Sequence, residues 1–446
     1  MAANPRTSEP GKLERQQALL AKLEGRLFRA SQLPEALPSA APTQSIALPG
    51  IERVENRSGI FSRVITTIEF SGKLTAQGIG FPHVFSLDRI VPTSLALLSQ
   101  ESDFNELPLE SLAFIDCETT GLSGGTGTFP FLVGVGFFRG EQFVVEQFFM
   151  EDYDEEPAMI EALAERMREF EALVSYNGKT FDVPLLRTRF IFHRRPSAWE
   201  KPHLDLLHCA RRFWKGRICD CSLHSVERHV LGVRRISDVA GSLIPQIYFD
   251  YVRGRRREQM IPVFDHHAQD IVSLAALAAQ LSRMVHTPLD SEALSAEDHV
   301  RLGAFFAHGG REELACNCYE CALQRLRDPL AIHTISMRLA RVYKRRGQWS
   351  DACDIWQAQI DSGPAGRIEP YVELAKFYEH QARDHTRALA IVERAIAAAG
   401  TQEELRRYIP AQTNFDSAID ELFRRLERLQ ARVRRHGQTR EATDGN

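Results

Sequence analysis

The sequence predicts an α/β domain, a mixed sheet with helices on both faces, followed by an all-α domain of helical repeats. Three observations carry this prediction. From Leu112 to Phe192 strand-like and helix-like segments succeed one another in the order β-β-β-α-β-α, a mixture that buries a sheet between helical layers. Beyond Ser295 the chain turns wholly helical and self-similar at offsets of 37 and 35 residues. Its 446 residues are also too many for a single hydrophobic core and call for about two or three.

Residues 1–50 begin polar, continue as an amphipathic helix (KLERQQALLAKLEGRLF) and end in a Pro/Ala/Ser-rich linker, SQLPEALPSAAPTQS. This start lacks the uninterrupted apolar stretch of a secretory signal, so the expected location is cytoplasmic. Residues 51–108 gain β-branched and aromatic side chains, as in SRVITTIEF, and read as a small β-rich lead-in.

The main domain is expected over 109–290. LAFIDCETTG is an apolar run ending in acids, and FLVGVGFF and QFVVEQFF follow as two strands joined across Arg139 and Gly140, a hairpin on the same sheet. Pro157 opens a helix (AMIEALAERMREFEAL), ALVSYN is a buried strand, and DVPLLRTRFIF is a helix beginning at Asp182. These apolar runs are too short to span a bilayer, so no membrane association is expected.

Over 296–400, segments starting at Arg301, Arg338 and Glu373 each show a helix, a Gly- or Ala-containing turn and a second helix. They resemble tetratricopeptide repeats, whose unit is about 34 residues and of which three make a short solenoid. Such a solenoid offers a surface to a protein partner. Residues 401–446 supply a capping helix, AIDELFRRLERLQARVRRH, and a polar tail.

Charge is unevenly spread. Arg187 to Arg257 holds sixteen Lys/Arg against six Asp/Glu in a chain of net charge -4, which suits a surface that holds a polyanion. The eight cysteines fall mostly in regular segments and read as reduced thiols; the ACNCYECAL cluster lacks paired metal-ligand spacing.

Asp116 and Glu118 lie two apart on a predicted strand, so both carboxylates leave the same face at its C-terminal end. Oxygen donors in such a pair suit Mg²⁺ or Mn²⁺. Thr119, Thr120 and Gly121 follow with hydroxyls and a turn that lets a substrate backbone come close. Gly121, Ser123 and Gly125 formally satisfy G-x-S-x-G, but a strand rather than a helix follows, and the glycine-rich GLSGGTGT lacks the G-K-[ST] ending of a phosphate loop.

FIDCETTGL resembles the first motif of the DEDD, or DnaQ-like, 3′-to-5′ exonucleases, SYNGKTFDVPLL the second and HHAQDIVSL the third, all in order. The β-β-β-α-β-α succession is likewise that of a ribonuclease H-like sheet. Within the superfamily the chain resembles the YprB-type proteins, which couple these motifs to a run such as LHSVERHVLGVRRISDVAGSLIPQIYFDYVRG and, in many members, to helical repeats. The resemblance implies a two-metal-ion phosphodiester hydrolase acting on single-stranded DNA or RNA. Asp116, Glu118, Asp182 and Asp270 would be its metal ligands, with Asn177 the polar residue ahead of the second-motif acid. It also implies a supporting role for Asp205.

Hydrolysis of a phosphodiester needs an attacking hydroxide and charge stabilisation on both sides of the phosphorus, which two cations about 4 Å apart supply. The base is expected to be His266, one helical turn before Asp270; in the tyrosine-bearing branch of the superfamily this spacing holds the tyrosine, and in the histidine-bearing branch the histidine stands five residues before the acid. Asp265 and His267 are the competitors. Arg211, Arg212, Lys215 and Arg217, interleaved with Phe213 and Trp214, are candidates for strand contact and base stacking, the alternative being a helix that packs its aromatics inward. His203, His208, His224 and His229 read as structural or surface residues. Two other functions stay open: a catalytically weak nucleic-acid or protein-binding scaffold, and a structure-selective endonuclease.

Overall fold

The apolar runs form one seven-stranded sheet in the computed structural model of the chain, which describes residues 50–69, 90–121, 127–235, 238–362, 367–406 and 414–444. The strands are β1 (Glu52–Asn56), β2 (Gly59–Glu69), β3 (Leu112–Thr119), β4 (Pro130–Arg139), β5 (Gln142–Phe149), β6 (Ala172–Ser175) and β7 (His203–Asp205), in the spatial order β1-β2-β5-β4-β3-β6-β7. From β1 to β3 every neighbour is antiparallel, whereas β3-β6 and β6-β7 are parallel. The N-terminal helix and linker, and most of the glycine-rich loop, lie outside the described residues.

The β-rich lead-in differs from its expectation as a separate piece. Its hairpin pairs with β5 from Ser62↔Phe149 to Glu69↔Gln142 and so extends the main sheet. No local pattern in SRVITTIEF names a partner so distant in sequence.

Alternation along β3 splits the core in two. Phe114 packs with Phe143, Val145, Ile271 and Ala275 on one face; Ala113 and Ile115 pack with Val144, Met159, Leu163 and Leu186 on the other. The first face is covered by the helix Ile261–His286, the second by Glu156–Arg166 and Asp182–Phe192. Gly134 and Gly136 of β4 sit beneath the long helix because nothing larger fits. A Cβ at Gly134 would stand 2.1 Å from Ile271 Cδ1, and one at Gly136 would stand 2.4 Å from Ile271 Cγ2. Gly134 is the β4 partner of Asp116, so this close approach brings the third-motif helix to the first-motif strand.

The C-terminal region is all helical: Ala296–His308, Glu312–Arg325, Pro329–Arg345, Trp349–Ser362, Glu369–His380, His385–Arg406 and Asn414–Asp444, each packed on the next from one end to the other. These helix pairs fit a repeat array. The first helix starts with a capping box, Ser295 with Asp298. The first pair shares its core with the sheet domain, since Leu302, Phe306, Ala315 and Tyr319 join the cluster that contains Phe213 and Trp214. A separate cluster around Trp356, Leu374, Val392 and Leu429 serves the later helices. Among the described residues no helix is long and apolar enough to cross a membrane.

Candidate metal centre

Three parallel strands deliver acids at their carboxyl ends, where open α/β sheets place ligands. β3 is buried through Ile115 and emerges into partial exposure at Asp116 and Glu118. Past β6 the chain turns through Asn177, whose φ is 67°, and Gly178, where a Cβ would meet Ser175 Oγ at 2.4 Å. This tight turn starts the next helix at Asp182. At the end of β7, Asp205 caps the helix Leu206–Trp214 and also accepts from the Asn177 and Lys179 amides at 2.8 and 3.1 Å. Asp205 thus holds the loop that aims Asp182. The long helix adds Asp270 and His266, and ligand atoms of Glu118, His266 and Asp270 lie within 4.8 Å of one another.

The histidines divide sharply. His267 is fully buried; its Nε2 donates to the Asp116 carbonyl at 3.1 Å and its Nδ1 accepts from Gln147 Nε2 at 3.0 Å. Burial pushes its pKa down to about 4, so it is a neutral strut between helix and strand. His266 instead faces the acids, with Nε2 3.4 Å from Asp270 Oδ2 and 3.8 Å from Glu118 Oε1. Its Nδ1 lies 2.6 Å from Asp238 Oδ1 and 3.1 Å from Arg235 Nη1; the shorter contact, to a carboxylate, favours the proton on Nδ1, which leaves the Nε2 lone pair turned to the site. Burial would raise the Asp238 carboxyl, but the His266 hydrogen bond and the charge of Arg235 hold it below its ordinary value.

Crowded, partly enclosed carboxylates repel. Burial first, then Asp270 and Asp182, push Glu118 up to about 8. Burial likewise raises Asp182 to about 7, opposed by its own backbone amide and by the Cys117 thiol, which donates to it. Asp116 is raised well above the usual range by burial and then by Asp270, Asp182 and Glu118. An all-oxygen set whose ionisation is this unfavourable fits a divalent cation, which would offset both penalties.

A stability prediction follows from the sign of these shifts. Folded carboxyls near 7 to 8 hold protons that the unfolded chain releases near 4. Their contribution is therefore complete below about pH 4 and is lost as pH rises through the folded values. The melting temperature of the metal-free chain should fall between about pH 5 and 8 on this account, and Mg²⁺ or Mn²⁺ should raise it more at pH 8 than at pH 6. A cation effect that does not grow with pH would count against these shifts.

Other expected site residues are placed differently. Thr119 Oγ1 donates to the Gly121 carbonyl at 2.9 Å and Thr120 Oγ1 accepts from the Phe129 amide at 3.0 Å, so both hydroxyls brace their own loop. Trp214 is a correction: with Phe213 it is buried in the core, and it offers no face to a base. Arg212 is also drawn inward, over the Phe305 ring at 5.4 Å. Arg211 and Lys215 remain exposed and line a cleft with Tyr176, Asn177 and Cys221. Of the basic residues from Arg187 to Arg257, Arg189 is buried, paired with Glu156, while Arg195 and Arg257, paired with Glu161 and Glu151, are half-buried and most of the others are exposed.

Sequence reasoning missed Arg235 and Asp238. Arg235 is 3% exposed at its side chain and binds Asp270 Oδ1, and it also pairs with Glu227 at 2.6 Å and Asp238 at 3.3 Å. The signal available was three charged residues in the run VRRISDV, which says nothing of where the loop folds back.

Residues 113–282 match the RNase_H superfamily. The chain is also 29% identical over 297 residues to "Uncharacterized protein YprB" of Bacillus subtilis (strain 168), a match that covers 66% of this chain and 71% of that protein. With the sheet order, the carboxylates at the strand ends and these two matches in agreement, the chain carries a ribonuclease H superfamily domain over residues 113–282.

Proposed function

We propose that the protein is a cytoplasmic, metal-dependent 3′-to-5′ exonuclease that hydrolyses single-stranded DNA or RNA, of the DEDD type. One observation supports it above the others: acids from three segments distant in sequence meet at one end of the sheet, where burial makes Asp116, Glu118 and Asp182 costly to keep ionised without a cation. Asp116, Glu118, Asp182 and Asp270 would hold Mg²⁺ or Mn²⁺, two ions being expected. When bound, the cations would supply charge stabilisation at the phosphate and lower the pKa of the attacking water.

The chain's own groups do the rest. His266 takes the water's proton at Nε2, because Asp238 fixes the tautomer that leaves this nitrogen free. Asn177, Arg211 and Lys215 line the cleft beside the second-motif turn and hold the strand by its phosphates. The helical array binds a partner; its cleft between Pro329–Arg345 and Glu369–His380 presents Arg338, Arg341 and Arg367, which fits an acidic protein segment.

The test is cleavage of 5′-labelled linear and of circular single strands, as DNA and as RNA, with Mn²⁺. A ladder shortening from the 3′ end, with circles intact, is expected; cut circles would make the enzyme an endonuclease. In the same assay His266→Ala should lower kcat roughly a hundredfold. Near-normal turnover there, with a large loss in a folded His267→Ala, would move the base by one residue.

A further inference from the structure

Arg235 brings a permanent positive charge into a site built to bind cations. It cannot easily leave. Its guanidinium holds both oxygens of Glu227, Nη2 on Oε1 at 2.6 Å and Nε on Oε2 at 2.8 Å, and Glu227 is 1% exposed. Among the described residues the other side-chain partner of Glu227 is the Ser273 hydroxyl, one turn beyond Asp270 on the same helix. Withdrawing Arg235 would leave a buried carboxylate without a counter-charge, which costs several kcal/mol by general experience. The fork therefore stays where it is when a cation arrives.

Its Nη1 faces Asp238 Oδ2 at 3.3 Å and His266 Nδ1 at 3.1 Å, and Nη2 also reaches Asp270. Nη2 binds Oδ1, while Oδ2 lies beside His266 Nε2 at 3.4 Å. One oxygen of Asp270 is thus committed to Arg235 and one is left to face the acids. Cations differ in what they ask of such a carboxylate. Ca²⁺ gathers about six to eight oxygens and commonly takes both oxygens of a carboxylate, whereas Mg²⁺ holds to a tight octahedron of single oxygens; Mn²⁺ shares the preference for oxygen ligands in an octahedron.

We propose that Arg235 is a positioning residue that makes this centre select Mg²⁺ and Mn²⁺ over Ca²⁺, by occupying Asp270 Oδ1 and withholding the two-oxygen grip that Ca²⁺ uses. The proposal rests on the metal-centre reading given above. It requires no movement of Arg235 and no change in its charge.

The test is binding rather than turnover. Full-length chain is loaded with Mn²⁺, free Mn²⁺ is followed by its electron paramagnetic resonance signal, and Ca²⁺ is titrated in. Ca²⁺ should displace Mn²⁺ poorly from the unaltered chain. In Glu227→Gln/Arg235→Met, which removes the buried pair together, the half-displacing Ca²⁺ concentration should fall roughly tenfold, the usual size of an outer-sphere effect on a metal site. A melting curve shows whether this variant folds, and Arg235→Gln replaces it if it does not. Unchanged selectivity in a folded variant that still binds Mn²⁺ would overturn the proposal alone. Equal affinity of the unaltered chain for Ca²⁺ and Mn²⁺ would overturn it without any variant. Failure of the unaltered chain to bind Mn²⁺ at all would instead bring down the metal-centre reading, and this proposal with it.

Discussion

Glu118→Gln is expected to lower hydrolysis on the order of a thousandfold or more while raising the melting temperature of the metal-free chain. The two effects have one cause. Glu118 is raised to about 8 by burial and by the neighbouring Asp270 and Asp182, so its negative charge destabilises the fold and at the same time attracts a cation. The amide keeps the shape and removes the charge. Asp116→Asn should behave alike, since Asp116 carries the same kind of shift. EDTA should stop hydrolysis by the unaltered chain, and added Mg²⁺ or Mn²⁺ should restore it. Activity measured together with thermal melts separates this outcome from simple unfolding: a dead variant that also melts lower would mean that Glu118 is part of the scaffold.

A second large effect concerns where the chain can be cut. Ending it after Leu294 is expected to give an aggregating or poorly folded product, although all four acids are retained. Phe213 and Trp214 are buried beneath Phe305 and its neighbours, with Phe213 and Phe305 rings 5.5 Å apart. Arg217 is tied to Asp298 at 2.6 Å, and Arg301 donates to the Lys215 carbonyl at 3.1 Å. Exposing those two aromatics alone costs about 2 kcal/mol each, or a fall of roughly 10 °C in a domain of this size. A chain ending after Arg346 keeps the helices Ala296–His308, Glu312–Arg325 and Pro329–Arg345, the last of which adds Ile335, Leu339 and Val342 to the same core, and should melt close to the unaltered chain. Equal stability of the two truncations, by calorimetry, would show that the shared core contributes little.

This reverses the simplest expectation from the sequence, in which repeats stack on one another and stand apart from the sheet. Self-similarity at a fixed offset reports that helix pairs recur. It is silent on whether the first pair also packs on something else. Trp214 illustrates a signal that was present: Leu206, Leu207, Ala210, Phe213 and Trp214 follow the three-and-four spacing of a buried helix face, and interleaved arginines do not change which face that is. That the four acids would come together at one end of the sheet was legible because strand alternation and motif order are local properties. Arg235 and Asp238 were not, because their positions depend on a loop that folds back onto a helix some thirty residues later. The approach of that helix had its own trace in the sequence, the two glycines of VGVG, each of which removes a Cβ that would strike Ile271.

The most direct examination of the acid cluster is a crystal soaked in Mn²⁺ and measured at a wavelength where manganese scatters anomalously. Anomalous peaks enclosed by Asp116, Glu118, Asp182 and Asp270, absent from crystals of Glu118→Gln, are the expected result. Ordered density for all four side chains with no peak among them, at Mn²⁺ concentrations that support activity, would contradict it.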